Sequence, residues 1–229
     1  ILYLMPLIYF FFYDTNFINK FEYLLIIATT FIGYIDDRFD LSQKLKLFLL
    51  IVTFCIFSYF TNLEGFDIFT NFFLFLLFVL LFNQIDGING ICAFTFISFI
   101  FSIFTISNFG NLPFYLLIIL FSSVLAYLNF NMRLKTVIQG DSGSFFMGVI
   151  SFILITKTFN GHVSLVSIIF VLPLFLDSCI ITLIRFFSNK SVFEGHRNHI
   201  YQKLAIKFKS HNTVTLIFLL VQTVVSLIF

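Results

Sequence analysis

The chain has 229 residues, of which 60% are hydrophobic and only 10% are charged. A soluble domain carries about 25% charged residues, so the composition excludes an ordinary water-soluble fold and points to an all-α, polytopic integral membrane protein. The formal net charge of +2 specifies no partner by itself.

Apolar runs long enough for a helix to cross the hydrocarbon core recur along the whole sequence. They predict nine transmembrane spans at residues 1–13, 21–35, 45–60, 68–82, 91–107, 112–130, 144–159, 163–185 and 212–229, within one domain over 1–229. The chain opens on Ile1 and stops inside an apolar run, which predicts an N-terminally incomplete fragment. Phe is the dominant aromatic, 39 residues with no Trp. AT-rich coding bias accounts for this more simply than an aromatic path does. The interfacial aromatic role then falls to Tyr, and Tyr13, Tyr23, Tyr34, Tyr59 and Tyr127 lie near the ends of apolar runs. Cys55, Cys92 and Cys179 lie inside apolar runs, too scattered for a disulfide framework, and read as small core residues.

Orientation follows from Lys and Arg. Arg38, Lys44 and Lys46 lie in the 36–46 loop, Arg133 and Lys135 in 131–143, and Arg185, Lys190, Arg197, Lys203, Lys207 and Lys209 in 185–211. Only Lys20 and Lys157 remain for the other side. Nine spans place the three basic loops, and by parity the 83–90 loop, on one face, predicted cytoplasmic. Four polar clusters are thereby gathered there.

The first is Asp36-Asp37, at the end of a span. Adjacent carboxylates either raise one another's pKa or share a cation; alternatively, Arg38 and Lys44 neutralise a solvated loop. The second is NQIDGING at 83–90, where Asn83, Asp86 and Asn89 share one face if the segment is helical; the alternative is a polar turn. In the third, GDSGSFFMG at 140–148, Asp141 is either a helix cap or a metal ligand. Mg²⁺ needs only one or two protein carboxylates plus phosphates, and the flanking glycines Gly140 and Gly143 suggest close approach to a ligand. The fourth, EGHRNHIYQKL, carries His196, Arg197 and His199, either a diphosphate-binding set or part of a basic interfacial helix. Asp177, deep in the eighth span, is a functional candidate by its depth or a structural carboxylate paired with a neighbouring helix. Pro173 predicts a kink there.

Taken together and in this order, DDRFDLSQKLK at 36–46, FNQIDGINGI at 82–91, GDSGSFFMG at 140–148 and HRNHIYQ at 196–202 resemble the polyprenyl-phosphate N-acetylhexosamine-1-phosphate transferases of glycosyltransferase family 4. His-Arg-x-His-x-Tyr-Gln and LPLFLDSCIITLIR at 172–185 look most like the O-antigen branch. Family members usually carry an acid where Asn89 stands, and their N-terminal span and a glycine-bearing cytoplasmic loop have no counterpart here. The resemblance implies a Mg²⁺-dependent transferase of the bacterial inner membrane, with its site on the cytoplasmic face. It would move a sugar-1-phosphate from a UDP-N-acetylhexosamine-type donor to undecaprenyl (polyprenyl) phosphate and release UMP, for cell-wall or lipopolysaccharide biogenesis. It allows a homodimer and implies no nucleic-acid partner.

By the same resemblance Asp36, Asp37, Asp86 and Asp141 are the catalytic carboxylates, and Asp141 is the metal ligand. Asp36 or Asp37 deprotonates or positions the lipid phosphate, and Lys44 or Lys46 binds phosphate. Asn83 and Asp86 shape the nucleotide pocket, and Asn89 and Gly140 are further substrate-binding positions. His196, Arg197 and His199 meet the diphosphate or sugar. An ion- or proton-coupled transporter is the alternative, but it needs acids spread through the membrane depth, whereas these stop mostly at one face.

Overall fold

The computed structural model of the chain describes residues 17–106, 114–134, 137–159, 171–191 and 198–228. Among them every regular element is helical: α1 (Lys20–Phe39), α2 (Gln43–Phe60), α3 (Gly65–Ile85), α4 (Ile91–Ile106), α5 (Phe114–Leu128), α6 (Gly140–Thr158), α7 (Leu172–Phe187), α8 (Ile200–Phe208) and α9 (His211–Ile228). A π-helical turn, Asn129–Leu134, follows α5. The span expected at 1–13 lies outside the described residues.

Helix α6 is the axis of the bundle. Its residues are apolar on every side and are buried almost continuously from Gly143 to Ile155, as expected of a helix surrounded by others. Helices α1 and α3 pack along it, both antiparallel to it. The C-terminal Asp37 of α1 meets the first turn of α6, and Glu22 at the start of α1 pairs with Lys157 near the end of α6 at 2.9 Å. Close approach is built into the contact points. A Cβ on Gly33 would collide with the carbonyl oxygen of Asp141, and one on Gly148 would sit 2.6 Å from Val79 Cα. Helix α2 closes the group through Phe54, whose ring lies 5.4 Å from Phe75 and 6.4 Å from Phe152.

Among the described residues three helical stretches, Gln43–Phe60, Gly65–Ile85 and Phe114–Met132, are long and apolar enough to cross a membrane, and two shorter apolar helices accompany them. Large side chains such as Leu24, Phe31, Phe48, Phe69, Phe73 and Leu220 face outward, an arrangement suited to lipid rather than water.

Pro173 lies in the first turn of α7, where its missing N–H breaks no intrahelical bond; the kink expected there turns on residues before 171, which lie outside the described residues. One expectation needs correction. Of the three cysteines only Cys92 is a buried core residue, since Cys55 is exposed and Cys179 intermediate.

Candidate functional site

The described polar clusters meet at one end of the bundle, where α1 and α3 finish and α2, α4, α6, α8 and α9 begin. At its centre is Lys46, in the first turn of α2 and only 7% exposed. Its Nζ donates to Asp36 Oδ2 at 2.6 Å and to Asp141 Oδ2 at 3.0 Å. Asn83 Nδ2, from the last turn of α3, donates to the same Asp141 oxygen at 3.0 Å. The second oxygen of Asp36 accepts from the backbone N–H of Leu41 at 2.8 Å. Four helices thus supply one compact ionic cluster. The cation that neutralises the acids is Lys46 rather than Arg38, which lies over the Tyr34 ring, or Lys44, which is exposed.

Asp37 has a different job from its neighbour. Its Oδ1 accepts from the N–H of Asp141 at 2.7 Å, and its Oδ2 accepts from that of Ser142 at 3.1 Å. These are among the N–H groups that a helix start leaves without intrahelical partners. Neither Gln139 nor Asp141 caps α6; the carboxylate of another helix does. Gly140 makes room for it. Its φ of +67° suits glycine, and a Cβ there would stand 2.7 Å from both Asp37 oxygens. The close approach expected of a glycine beside Asp141 is therefore to a protein carboxylate.

Asp86 ends α3 as its C-cap. Burial, reinforced by the charges of Asp141 and Asp37, pushes its carboxyl up to about 7. The segment 83–90 is not one helix: Asn83 is on α3, and Asn89 lies in the turn that follows. Asn89 is tied by its backbone to α9, where Thr215 Oγ1 donates to its carbonyl at 2.8 Å.

His199 comes to the same region by way of α8. Tyr201, wholly buried, donates from its hydroxyl to the Gln84 carbonyl at 2.7 Å. Gly87 lies against Tyr201 and Gln202 closely enough that a Cβ would reach Gln202 Nε2 at 2.5 Å. His199 Nδ1 lies 3.2 Å from Asp177 Oδ2. His196 and Arg197 lie outside the described residues. Asp177 is thus the residue whose association with the site had to come from three dimensions. The sequence signal was an acid at depth in an apolar run, without its partner.

Among the described residues no group of three His, Cys, Asp or Glu forms a ready cage for a metal. Lys46 fills the point where Asp36 and Asp141 converge, and the other Asp36 oxygen takes the Leu41 N–H. Asp141 is the more open of the two acids, and a hard divalent cation needs only one or two protein carboxylates, completed by water and phosphate, so Asp141 fits such an ion.

The family model described as glycosyl transferase family 4 matches residues 21–159, the stretch that carries Asp36, Asp37, Lys46, Asn83, Asp86 and Asp141. No curated protein matches the chain.

Proposed function

Because the chain belongs to glycosyl transferase family 4, we propose that it transfers a sugar-1-phosphate from a UDP-N-acetylhexosamine-type donor to undecaprenyl phosphate and releases UMP. Membership implies a transferase acting on polyprenyl phosphate and a sugar nucleotide in general, and the family generally uses a divalent metal. The finer reading, an O-antigen-like pathway in the bacterial inner membrane with the site facing the cytoplasm, rests on the HRNHIYQ and LPLFLDSCIITLIR segments and on the Lys and Arg distribution. The proposed membrane domain takes up the whole chain, with the nine expected spans.

The observation that carries the proposal is the Asp36–Lys46–Asp141 cluster, closed by Asn83. In the reaction an oxygen of the lipid phosphate attacks the sugar-bearing phosphorus of the donor. The phosphorus–oxygen bond to UMP breaks, and UMP leaves with the electron pair. Little covalent chemistry is asked of the protein; positioning and charge neutralisation carry such transfers. Two anions must approach one another, so a fixed ammonium at their meeting point is what the chemistry needs. Lys46 is proposed for it, with Lys44 at the entrance. Asp36 holds Lys46 and the incoming phosphate in register. Asp141 is proposed to hold Mg²⁺, which when bound would supply charge stabilisation to the donor diphosphate. Asn83 and Asp86 form the donor side, and Asp86 holds or yields a proton near neutrality. His196 and Arg197 are proposed diphosphate contacts.

The purified chain in detergent, given UDP-N-acetylglucosamine and undecaprenyl phosphate, should release UMP only when both substrates and a divalent cation are present. UMP release that ignores the lipid phosphate would remove the proposal.

A further inference from the structure

Asp177 is a carboxylate in an apolar helix, 3% exposed, and the proposed chemistry does not use it. Burying a charge is costly unless its oxygens are satisfied, and both are. Oδ2 faces His199 Nδ1 at 3.2 Å, and Oδ1 accepts the backbone N–H of Ile200 at 3.0 Å. Ile200 opens α8, whose N-cap residue His199 makes no side-chain cap bond. Asp177 is therefore the cap of α8, supplied from 23 residues away.

The chain of contacts continues. The His199 ring, 5% exposed, stacks on Tyr201 with centroids 5.4 Å apart and 17° between planes. The Tyr201 hydroxyl donates to the carbonyl of Gln84 at 2.7 Å. Gln84 is in the last turn of α3, where carbonyls have no intrahelical donor. It follows Asn83, which binds Asp141, and precedes Asp86 by two residues. Gly87 completes the seat, since any side chain there would strike Tyr201 and Gln202.

We infer that Asp177, His199 and Tyr201 form a relay that positions the Asn83–Asp86 end of α3, and that His199 acts through Tyr201 rather than by touching substrate. A carboxylate at Nδ1 fixes the tautomer and orientation of an imidazole. A ring held so, nearly closed to solvent and stacked along its face, suits an anchor. The relay holds the donor side of the site, so it governs sugar-nucleotide binding, whereas Lys46 and Asp36 stand on other helices. The inference rests on the transferase reading above.

The test is steady-state transfer by the full chain with each substrate varied in turn, for wild type, Asp177→Asn, His199→Ala, Tyr201→Phe and the Asp177→Asn/Tyr201→Phe double variant. Each single change should raise the donor KM by about tenfold, the usual size of an orienting partner's effect, and leave the KM for undecaprenyl phosphate within about twofold. The double variant should be no worse than the poorer single variant, as expected of residues acting as one unit. Loosening of the fold alone would lower kcat and leave both KM values unchanged, and that result overturns the inference. So does near-normal Tyr201→Phe beside a His199→Ala variant disabled a hundredfold or more, which would make His199 a direct substrate contact. Tyr201→Phe keeps the ring stack and carries the test if Asp177→Asn fails to accumulate. Absence of transfer by the wild type removes the transferase reading itself, and the inference with it, before any variant is compared.

Discussion

Replacing Asp37 separates a base from a cap. Its two oxygens take the N–H groups of Asp141 and Ser142 at 2.7 and 3.1 Å. Hydrogen bonds to a charged acceptor contribute roughly 1.5–3 kcal/mol each, and a carboxylate at a helix start adds about 0.3–1 kcal/mol through the helix dipole. Asp37 is exposed, so water takes over part of the role in a variant. Loss of an ordinary cap costs about 0.5–2 kcal/mol, and that lower range applies. Asp37→Asn keeps one acceptor and loses the charge. It should destabilise the protein by about 1 kcal/mol, within that range. It should slow transfer by about tenfold, because a displacement of Asp141 worth about 1.4 kcal/mol in the transition state has that effect. Asp37→Ala should be worse in both respects. Thermal unfolding followed through tyrosine fluorescence, beside initial rates of UMP release, reads both quantities. If Asp37→Asn unfolds like wild type and yet loses activity by a thousandfold or more, Asp37 is a base and not a cap.

Three other outcomes follow from the same geometry. Lys46→Met leaves Asp36 and Asp141 facing one another without their cation, and breaking a buried pair costs about 3–5 kcal/mol, less here because Asp141 is partly open to solvent. Its melting temperature should fall and should recover more than that of wild type when Mg²⁺ is added; an equal Mg²⁺ response would show that Lys46 and the metal do not share the carboxylates. Asp86, raised to about 7 by burial and then by the Asp141 and Asp37 charges, holds its proton below that pH and loses it above. Its contribution to stability is therefore present at low pH and lost as pH rises through about 7. Asp86→Asn should lack the inflection near neutrality in the rate profile and should lose less melting temperature between about pH 6 and 8; an unchanged profile would exclude Asp86 from the titration. Cysteines introduced at Ser42 and Ser191, in a chain stripped of Cys55, Cys92 and Cys179, should label only from the cytoplasmic side, and external labelling of either would overturn the orientation.

Much of the bundle was legible because a membrane helix announces itself by length and apolarity. The run expected at 45–60 is α2 at Gln43–Phe60, and the one at 68–82 is α3 at Gly65–Ile85. The gathering of Asp36, Asn83 and Asp141 was legible for a related reason: polar residues at the ends of alternate spans must share a face. What was hidden depends on which atom meets which. Asp36 and Asp37 are chemically identical neighbours, yet successive helical residues point about 100° apart. One faces Lys46 and the other the start of α6. The tie from Asp177 to His199 spans 22 residues and has no periodic signature. Helix α8, only 9 residues long, has too few turns for a reliable apolar stripe, and what holds it is the Asp177 cap and the Tyr201 anchor.

In the proposed reaction phosphate moves together with sugar. A UDP-sugar carrying ³²P in the sugar-linked phosphate, incubated with the full chain, Mg²⁺ and undecaprenyl phosphate, follows that movement. The label should pass into the lipid fraction in equal amount to the UMP released, and Asp141→Asn, still present in the membrane, should pass none. Label that stays in UDP while sugar alone reaches the lipid would contradict the proposed reaction.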